Sequence, residues 1–409
     1  MTNPNRIDDV RIPAPGQWPL GACADLLLGA GRLLPDLPQL TAAYGTALRT
    51  EDLPVDRVLV LMPTLHPLMG ALNFVWSSND NSVHEIARGW SATATAEFKR
   101  GPIASLLAGS HGVIRRKLCD PTTPHDFDIV DDLISQGFTD YLIASIAPAA
   151  GRLVSAVSWS TRTPGGFTDT QLQQLLATLV YFAPLLDTHA AQRIGVGLLK
   201  VYLGSNAGAR VMEGAVRRGD GGEIRAAICF TDLRGFTVLS DRLPRAELLE
   251  LLNAYFDCVV AAVHAQGGEV LKFIGDAVLA IFRIADDTEA AAHAACQAAL
   301  HAAHDAFARG AAANAARLGR QPIEFGTAIH IGDVEYGNIG AADRLDFTVI
   351  GPAVNLASRL QGLCRTLDRP LLVSEAFAQT CAHPCDDLGA HQLKGVAATV
   401  QVFSPMAPR

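Results

Sequence analysis

Residues 269–282 read Glu-Val-Leu-Lys-Phe-Ile-Gly-Asp-Ala-Val-Leu-Ala-Ile-Phe, and they organise the C-terminal half of the chain. Two apolar runs of strand length, Glu269–Phe273 and Ala277–Phe282, flank the tight turn Ile274-Gly275-Asp276. Upstream, the apolar strand Ile224–Phe230 leads into Phe230-Thr231-Asp232-Leu233-Arg234-Gly235-Phe236-Thr237. Between the two lies Pro244–Ala265, with Leu248, Leu252, Tyr255, Phe256, Val259 and Val263 on one helical face. Beyond the hairpin come an alanine-rich helix, Thr288–Arg317, and a fourth strand, Ile323–Ile331. The order is β-α-β-β-α-β, which predicts a ferredoxin-like α+β sandwich. A strand Phe347–Ile350, a helix Pro352–Leu363, a strand Pro370–Val373 and a closing hairpin through Leu393–Phe403 follow.

Asp232 ends a hydrophobic strand, where a carboxylate can bind a hard cation. The glycine-containing turn after it presents backbone N–H groups to phosphate oxygens. Asp276 sits in the hairpin turn. In a ferredoxin-like sheet the first and third strands are neighbours, so Asp232 and Asp276 meet at one edge. Two carboxylates that close repel unless a cation lies between them. A pair of Mg²⁺ ions about 3.5–4 Å apart is the usual device for phosphoryl transfer. Asn355 and Arg359 are i and i+4 on the Pro352 helix and project from one face.

The stretch from Ile224 to Phe282 resembles the class III adenylate/guanylate cyclase domain, and Thr348–Leu360, TVIGPAVNLASRL, resembles its second half. Leu393–Val396, LKGV, is similar to its closing segment. The resemblance implies a bacterial-type adenylate cyclase that closes ATP into cyclic AMP at a homodimer interface. It implies that Asp232 and Asp276, with the Leu233 carbonyl, hold two Mg²⁺ or Mn²⁺ ions per site. Gly235, Phe236 and Thr237 resemble the backbone triphosphate cradle. Lys272 and Thr348 stand at the purine-reading positions, Asn355 at the ribose-orienting one and Arg359 at the transition-state arginine. Lys394 is expected near the terminal phosphates. Lys272 favours ATP, because guanylate cyclases carry Glu there. Thr348, where animal adenylate cyclases have Asp, can still accept from the adenine amino group. A guanylate or dual-specificity cyclase, or an inactive nucleotide-binding regulator, are the alternatives. Gly267-Gly268-Glu269-Val270 echoes the diguanylate cyclase signature but precedes the strand instead of occupying the turn.

The N-terminal half is less explicit. Residues 1–50 lean helical. Val58–Met62, Ala71–Trp76, Tyr141–Ile146 and Leu153–Trp159 read as strands, the last two joined by a turn around Gly151. Residues 83–109 read as helical and Ile129–Gln136 as a short amphipathic segment. Pro164-Gly165-Gly166 breaks the chain, and Phe167-Thr168-Asp169 opens a helix towards Leu203 with an expected kink at Pro184. This order resembles a GAF-like sensor over residues 51–187. A helical linker is expected over 188–222, including a helix Gly208–Arg217 and a flexible joint at Gly219–Gly222, before a catalytic domain over 223–404.

The bulk numbers bound the partners. The 409 residues suit two or three domains, and 49% hydrophobic with 18% charged residues describe a globular chain. A net charge of −8 disfavours nucleic acid and anionic membranes. The start shows no signal-peptide pattern, and Leu175–Leu186, broken by Pro184, falls short of the roughly 20 residues a bilayer requires. A cytoplasmic location is expected. Of eight scattered cysteines, only Cys381 and Cys385 lie close, near His383 and His391, and their spacing does not fit a zinc site.

Overall fold

The computed structural model describes residues 21–107, 112–146, 154–341, 343–396 and 398–406, in two compact units, Met1–Leu198 and Leu199–Arg409. The first twenty residues and the expected turn at Gly151 with Leu153 lie outside the described residues.

The first unit begins with helices α1 (Ala22–Leu28) and α2 (Leu37–Thr50). Asp36 caps α2 by accepting from the Gln39 N–H at 2.8 Å. Strands β1 (Arg57–Pro63), β2 (Met69–Ser77) and β3 (Val83–Gly89) follow, then short helices α3 (Ala96–Lys99) and α4 (Pro102–Leu107). Strand β4 (Val113–Arg116), helix α5 (Asp128–Ser135), strands β5 (Asp140–Ile146) and β6 (Ser155–Thr161) and helix α6 (Asp169–Leu203) complete it. The division between units falls inside α6, and Pro184 lies within that helix. The six strands form one antiparallel sheet in the order β3-β2-β1-β6-β5-β4. Leu40, Tyr44 and Leu48 of α2 and Leu175, Leu179 and Phe182 of α6 pack with Val60, Phe74 and Trp159 on one face. Leu106, Val130 and Leu133 cover Tyr141 and Ile143 on the other.

The expected helix over 83–109 is corrected: its first seven residues are the edge strand β3. All five interior residues of β3 are exposed, so no buried alternation marks it in the sequence, and its register comes from pairing with β2. The Gly-Gly-Phe-Thr-Asp helix start has a defined cause. Gly166 has φ +76°, and a Cβ there would lie 2.5 Å from the Asp140 carboxylate. Buried Asp140 pairs with Arg115 at 2.6 Å and accepts from the Phe167 N–H at 3.0 Å. Arg115 also donates to the Phe167 carbonyl at 2.8 Å.

The second unit begins with α7 (Ser205–Met212), β7 (Gly221–Leu233), α8 (Phe236–Arg242) and α9 (Arg245–Ala265). Next come β8 (Glu269–Ile274), β9 (Ala277–Arg283), α10 (Glu289–Ala316), β10 (Phe325–Gly340) and β11 (Leu345–Ile350). Helix α11 (Pro352–Thr366), β12 (Leu371–Ser374), α12 (Glu375–Cys381), β13 (Cys385–His391) and β14 (Val400–Pro405) end it. The sheet order is β13-β14-β12-β10-β7-β9-β8, with β11 pairing β10. The run β10-β7-β9-β8 is the ferredoxin-like arrangement, and the fold is α+β. The closing hairpin differs from expectation: its strands are β13 and β14, and Leu393 is a buried loop residue between them.

One face of this sheet packs on α9, α10 and α12. The alanines of α10, Ala292, Ala295, Ala299, Ala303 and Ala306, are buried there and let the helix lie close. Helix α9 is the one described helix long and apolar enough to cross a membrane, and Leu251, Tyr255, Val259 and Val263 spend that apolarity in the core. The other face carries α7 and α11, with Ala207, Ala353 and Ala357 against Ile228, Leu279 and Ile281. A Cβ on Gly332 would lie 2.7 Å from the Ala353 Cβ, and one on Gly326 2.9 Å from the Cys364 Cβ. Both positions need glycine for α11 to approach β10.

The expected flexible joint at Gly219–Gly222 is corrected as well. Gly221 and Gly222 belong to β7 and pair with Gly337 and Tyr336. The Gly219 N–H donates to the Asn338 carbonyl at 3.0 Å, and the Asn338 N–H to the Asp220 carbonyl at 2.9 Å. A Cβ on Gly221 would lie 2.4 Å from the Tyr336 carbonyl oxygen, so glycine serves close approach here and not freedom. The helix expected over Gly208–Arg217 is instead α7, which starts and ends earlier.

Candidate active site

Strand alternation places Asp232 on the α11 face of the sheet, in line with Ile224, Ala226, Ile228 and half-buried Phe230. Its ladder partner is Ala277, the residue after Asp276 in the two-residue turn Gly275-Asp276. Gly275 has φ +65°, the conformation this turn requires. The two carboxyl groups are thereby brought together. Burial, then a hydrogen bond to Asp276 and the Asp276 charge, hold the Asp232 carboxyl well above the usual carboxylate range. Tyr255 of α9 lies beneath: its buried hydroxyl has no hydrogen-bond partner, and burial followed by the charges of Asp232 and Asp276 raises its pKa.

A carboxylate pair in mutual repulsion fits a divalent cation, and the Leu233 carbonyl lies next in the chain. Among the described residues no cluster of three or more His, Cys, Asp or Glu is assembled. The two aspartates and backbone oxygen are hard donors, of the kind suited to Mg²⁺ or Mn²⁺. Cys385 donates instead to the His383 carbonyl at 3.2 Å, and His383 Nε2 bonds the Met406 carbonyl at 3.0 Å.

Gly235, with φ +72°, is the N-cap position of α8, and Phe236 and Thr237 begin that helix, with Arg234 between Gly235 and Leu233. The first N–H groups of a helix lack intrahelical acceptors. These three residues therefore stand where the sequence expects a phosphate cradle, beside the carboxylates.

Lys272 serves a different corner. Its Nζ pairs with Asp346 Oδ2 of β11 at 3.0 Å. Two residues on, Thr348 is buried and its Oγ1 has no hydrogen-bond partner. A buried hydroxyl without a partner costs free energy until something bonds it, so the Lys272–Thr348 corner fits a polar ligand. Asp346 was missed in the sequence; the only signal was its i−2 spacing from Thr348, which puts both on one face of a strand.

Asn355 and Arg359 are exposed on α11. Cys364 of the same helix lies over Gly326, the ladder partner of Asp232. At the helical rise of 1.5 Å per residue, Asn355 stands about 13 Å along the axis from the level of Asp232. Lys394 is exposed on the turn Leu393–Val396. Within one chain, then, Asp232 meets Asp276 and Lys272 meets Asp346 near Thr348. Among the described residues neither group hydrogen-bonds or ion-pairs with Asn355, Arg359 or Lys394.

Known proteins resemble the second unit in sequence. The model of the family "Adenylate and Guanylate cyclase catalytic domain" matches residues 223–400. An adenylate cyclase of Anabaena cylindrica is 36% identical over 162 residues, which is 39% of this chain and 31% of that protein. An adenylate cyclase of Rhizobium meliloti is 33% identical over 177 residues, 42% of this chain and 26% of that protein. The chain thus spans about a third or less of the length of these relatives. Among solved structures, the adenylyl cyclase CyaB from P. aeruginosa is 29% identical with a TM-score of 0.40, covering 46% of this chain and 96% of that one. Residues 223–400 of this chain therefore belong to the adenylate and guanylate cyclase catalytic domain family.

Proposed function

We propose that the chain is an adenylate cyclase that converts ATP into 3′,5′-cyclic AMP and pyrophosphate in a homodimer with sites shared between protomers. The observation that carries this reading is the division of labour between two corners: paired Asp232 and Asp276, and Lys272 with Thr348. Asp232, Asp276 and the Leu233 carbonyl would hold two Mg²⁺ or Mn²⁺ ions, which when bound acidify the ribose 3′-hydroxyl and offset charge on the leaving pyrophosphate. Gly235, Phe236 and Thr237 bind phosphate oxygens through backbone N–H groups, and Lys394 adds charge at the terminal phosphates. Lys272 donates to a purine ring acceptor, which suits adenine N1 and opposes the N–H of guanine. The free Thr348 hydroxyl accepts from the adenine amino group. Asn355 orients the ribose, and Arg359 stabilises charge as the α-phosphorus becomes pentacovalent.

The dimer follows from reach. The adenine and the phosphates lie at opposite ends of ATP, while Asn355 is about 13 Å from the Asp232 level and Lys272 turns to Asp346. A two-fold partner supplies the missing half of each site. We read the N-terminal unit as a GAF-like sensor that regulates this dimer through an unidentified ligand; its antiparallel sheet with helices on both faces supports that. All eight cysteines are free, which suits the reducing cytoplasm.

Thr348 also favours a second reading, dual specificity, because a hydroxyl can donate to guanine O6 as well as accept from an amino group. The test is product identity. Purified full-length protein with ATP or GTP and Mg²⁺ or Mn²⁺ should yield cyclic AMP in preference to cyclic GMP. Comparable yields would establish dual specificity. Absence of both products would leave a nucleotide-binding regulator.

A further inference from the structure

Strands β8 and β10 are not neighbours: β7 and β9 stand between them. Backbone ladders reach from Lys272 on β8 to Thr348 on β11, the strand paired with β10, only by way of β9, β7 and β10. Side chains add a direct tie. Buried Tyr336 of β10 places its hydroxyl 3.0 Å from each carboxylate oxygen of Glu269, which accept from it. Glu269 opens β8, three residues before Lys272. The other side of the Tyr336 ring system meets Phe347 edge-on, centroids 4.9 Å apart at 85°. Phe347 lies between Asp346 and Thr348 on β11. The tie thus ends next to both purine-reading side chains.

Helix α7 joins the same network. Asn206 Nδ2 donates to Glu269 Oε2 at 3.1 Å, and the Arg210 guanidinium lies 4.9 Å from the Tyr336 ring centroid. Arg283 of β9 approaches the ring as well, at 5.9 Å. These groups line a cavity of about 320 Å³. A buried phenol bonded to a carboxylate is well defined in position, because losing either partner leaves the other unsatisfied.

We propose that Tyr336 and Glu269 are positioning residues for purine recognition: they fix the spacing of Lys272 and Thr348, with Asn206 of α7 as the outer anchor. The inference rests on the cyclase reading of the site. Neither residue touches the nucleotide. Their loss shifts β8 against β11, and displacements near 1 Å cost about a hundredfold where geometry is critical and less where only binding suffers.

The test uses the full chain with ATP and GTP. Tyr336→Phe and Glu269→Ala should each raise KM for ATP about fivefold or more and narrow the ATP to GTP ratio in kcat/KM, with kcat changed less than about twofold. Glu269→Gln keeps an acceptor for the Tyr336 hydroxyl and should restore most of the loss. Asn206→Ala, exposed on α7, should shift KM in the same direction by about twofold and guards against misfolding of the core variants. Folded variants with unchanged KM and unchanged purine ratio would overturn the proposal, as would a fall in kcat alone. If wild-type protein forms no cyclic nucleotide, the cyclase reading fails separately. Displacement of a fluorescent ATP analogue by ATP and GTP then decides the positioning role: wild type and Tyr336→Phe responding alike would overturn it.

Discussion

Lys272 and Asp276 are four residues apart on one hairpin, yet they face different partners: Lys272 pairs with Asp346 at 3.0 Å, and Asp276 adjoins Asp232. Groups that the proposed reaction applies to opposite ends of ATP are thus held apart in each chain. Mixing inactive Asp232→Ala with inactive Arg359→Ala protein tests the consequence. Mixed dimers hold one doubly defective site and one intact site, so random pairing should recover about a quarter of wild-type activity. A mixture that stays inactive after demonstrated subunit exchange refutes the shared site.

Metal dependence gives a second prediction. Asp232→Ala or Asp276→Ala should lower turnover by orders of magnitude without unfolding the protein, since metal and transition-state charge contributions are each worth several kcal/mol. Retention of more than about a tenth of the wild-type rate would contradict the two-metal assignment.

Purine choice is the third. Lys272→Glu with Thr348→Ser should weaken ATP use and raise the relative use of GTP, because mismatched donors and acceptors are left unpaired. Asp346→Asn should move the ratio in the same direction by freeing the Lys272 ammonium. An unchanged ATP to GTP ratio in kcat/KM would show that this corner does not read the base.

Acid stability is the fourth. His330 of β10 bonds Ser374 Oγ through Nδ1 at 2.7 Å, and burial lowers its pKa from 6.5 to about 4. The folded value lies below the unfolded one, so the unfolded chain takes up the proton first as pH falls. Stability from this site is complete above pH 6.5 and is lost between 6.5 and about 4. The loss is on the order of 3 kcal/mol at 1.36 kcal/mol per pKa unit. Melting temperature against pH should fall less steeply over that window for His330→Gln than for wild type. Parallel curves would show that another group governs the acid limb.

Truncation is the fifth. Ala207 of α7 is fully buried in the second unit. A chain beginning at Gly222 should melt about 5 °C or more below one beginning at Leu203, on a scale of a few degrees per kcal/mol. Equal melting temperatures would make α7 dispensable. A regulatory N-terminal unit further requires that the Leu203 chain and the full chain differ in activity or dimer affinity.

Much of the second unit was legible because its signals are local. The Gly275-Asp276 turn, the helical periodicity of α9 and the alanine stripe of α10 each specify their element without help from distant residues. Asp232 and Asp276 could be paired from strand order alone. What escaped depends on partners remote in sequence. β3 exposes its whole interior and takes its register from β2. Asp346 matters only because β11 folds beside β8. The glycines at 219–222 read as looseness until Gly337 and Tyr336 come against them. Tyr336 and Glu269 lie 67 residues apart, and nothing in either segment announces the other.

Those glycines fix where the chain enters β7 against β10. A Cβ at Gly337 would lie 2.3 Å from the Asp220 carbonyl oxygen, and one at Gly221 2.7 Å from the Gly337 Cα. Backbone lies on backbone with no side chain to compress. Any side chain at Gly221 or Gly337 would have to part the two strands, so the place where β7 joins β10 is set by the absence of side chains there.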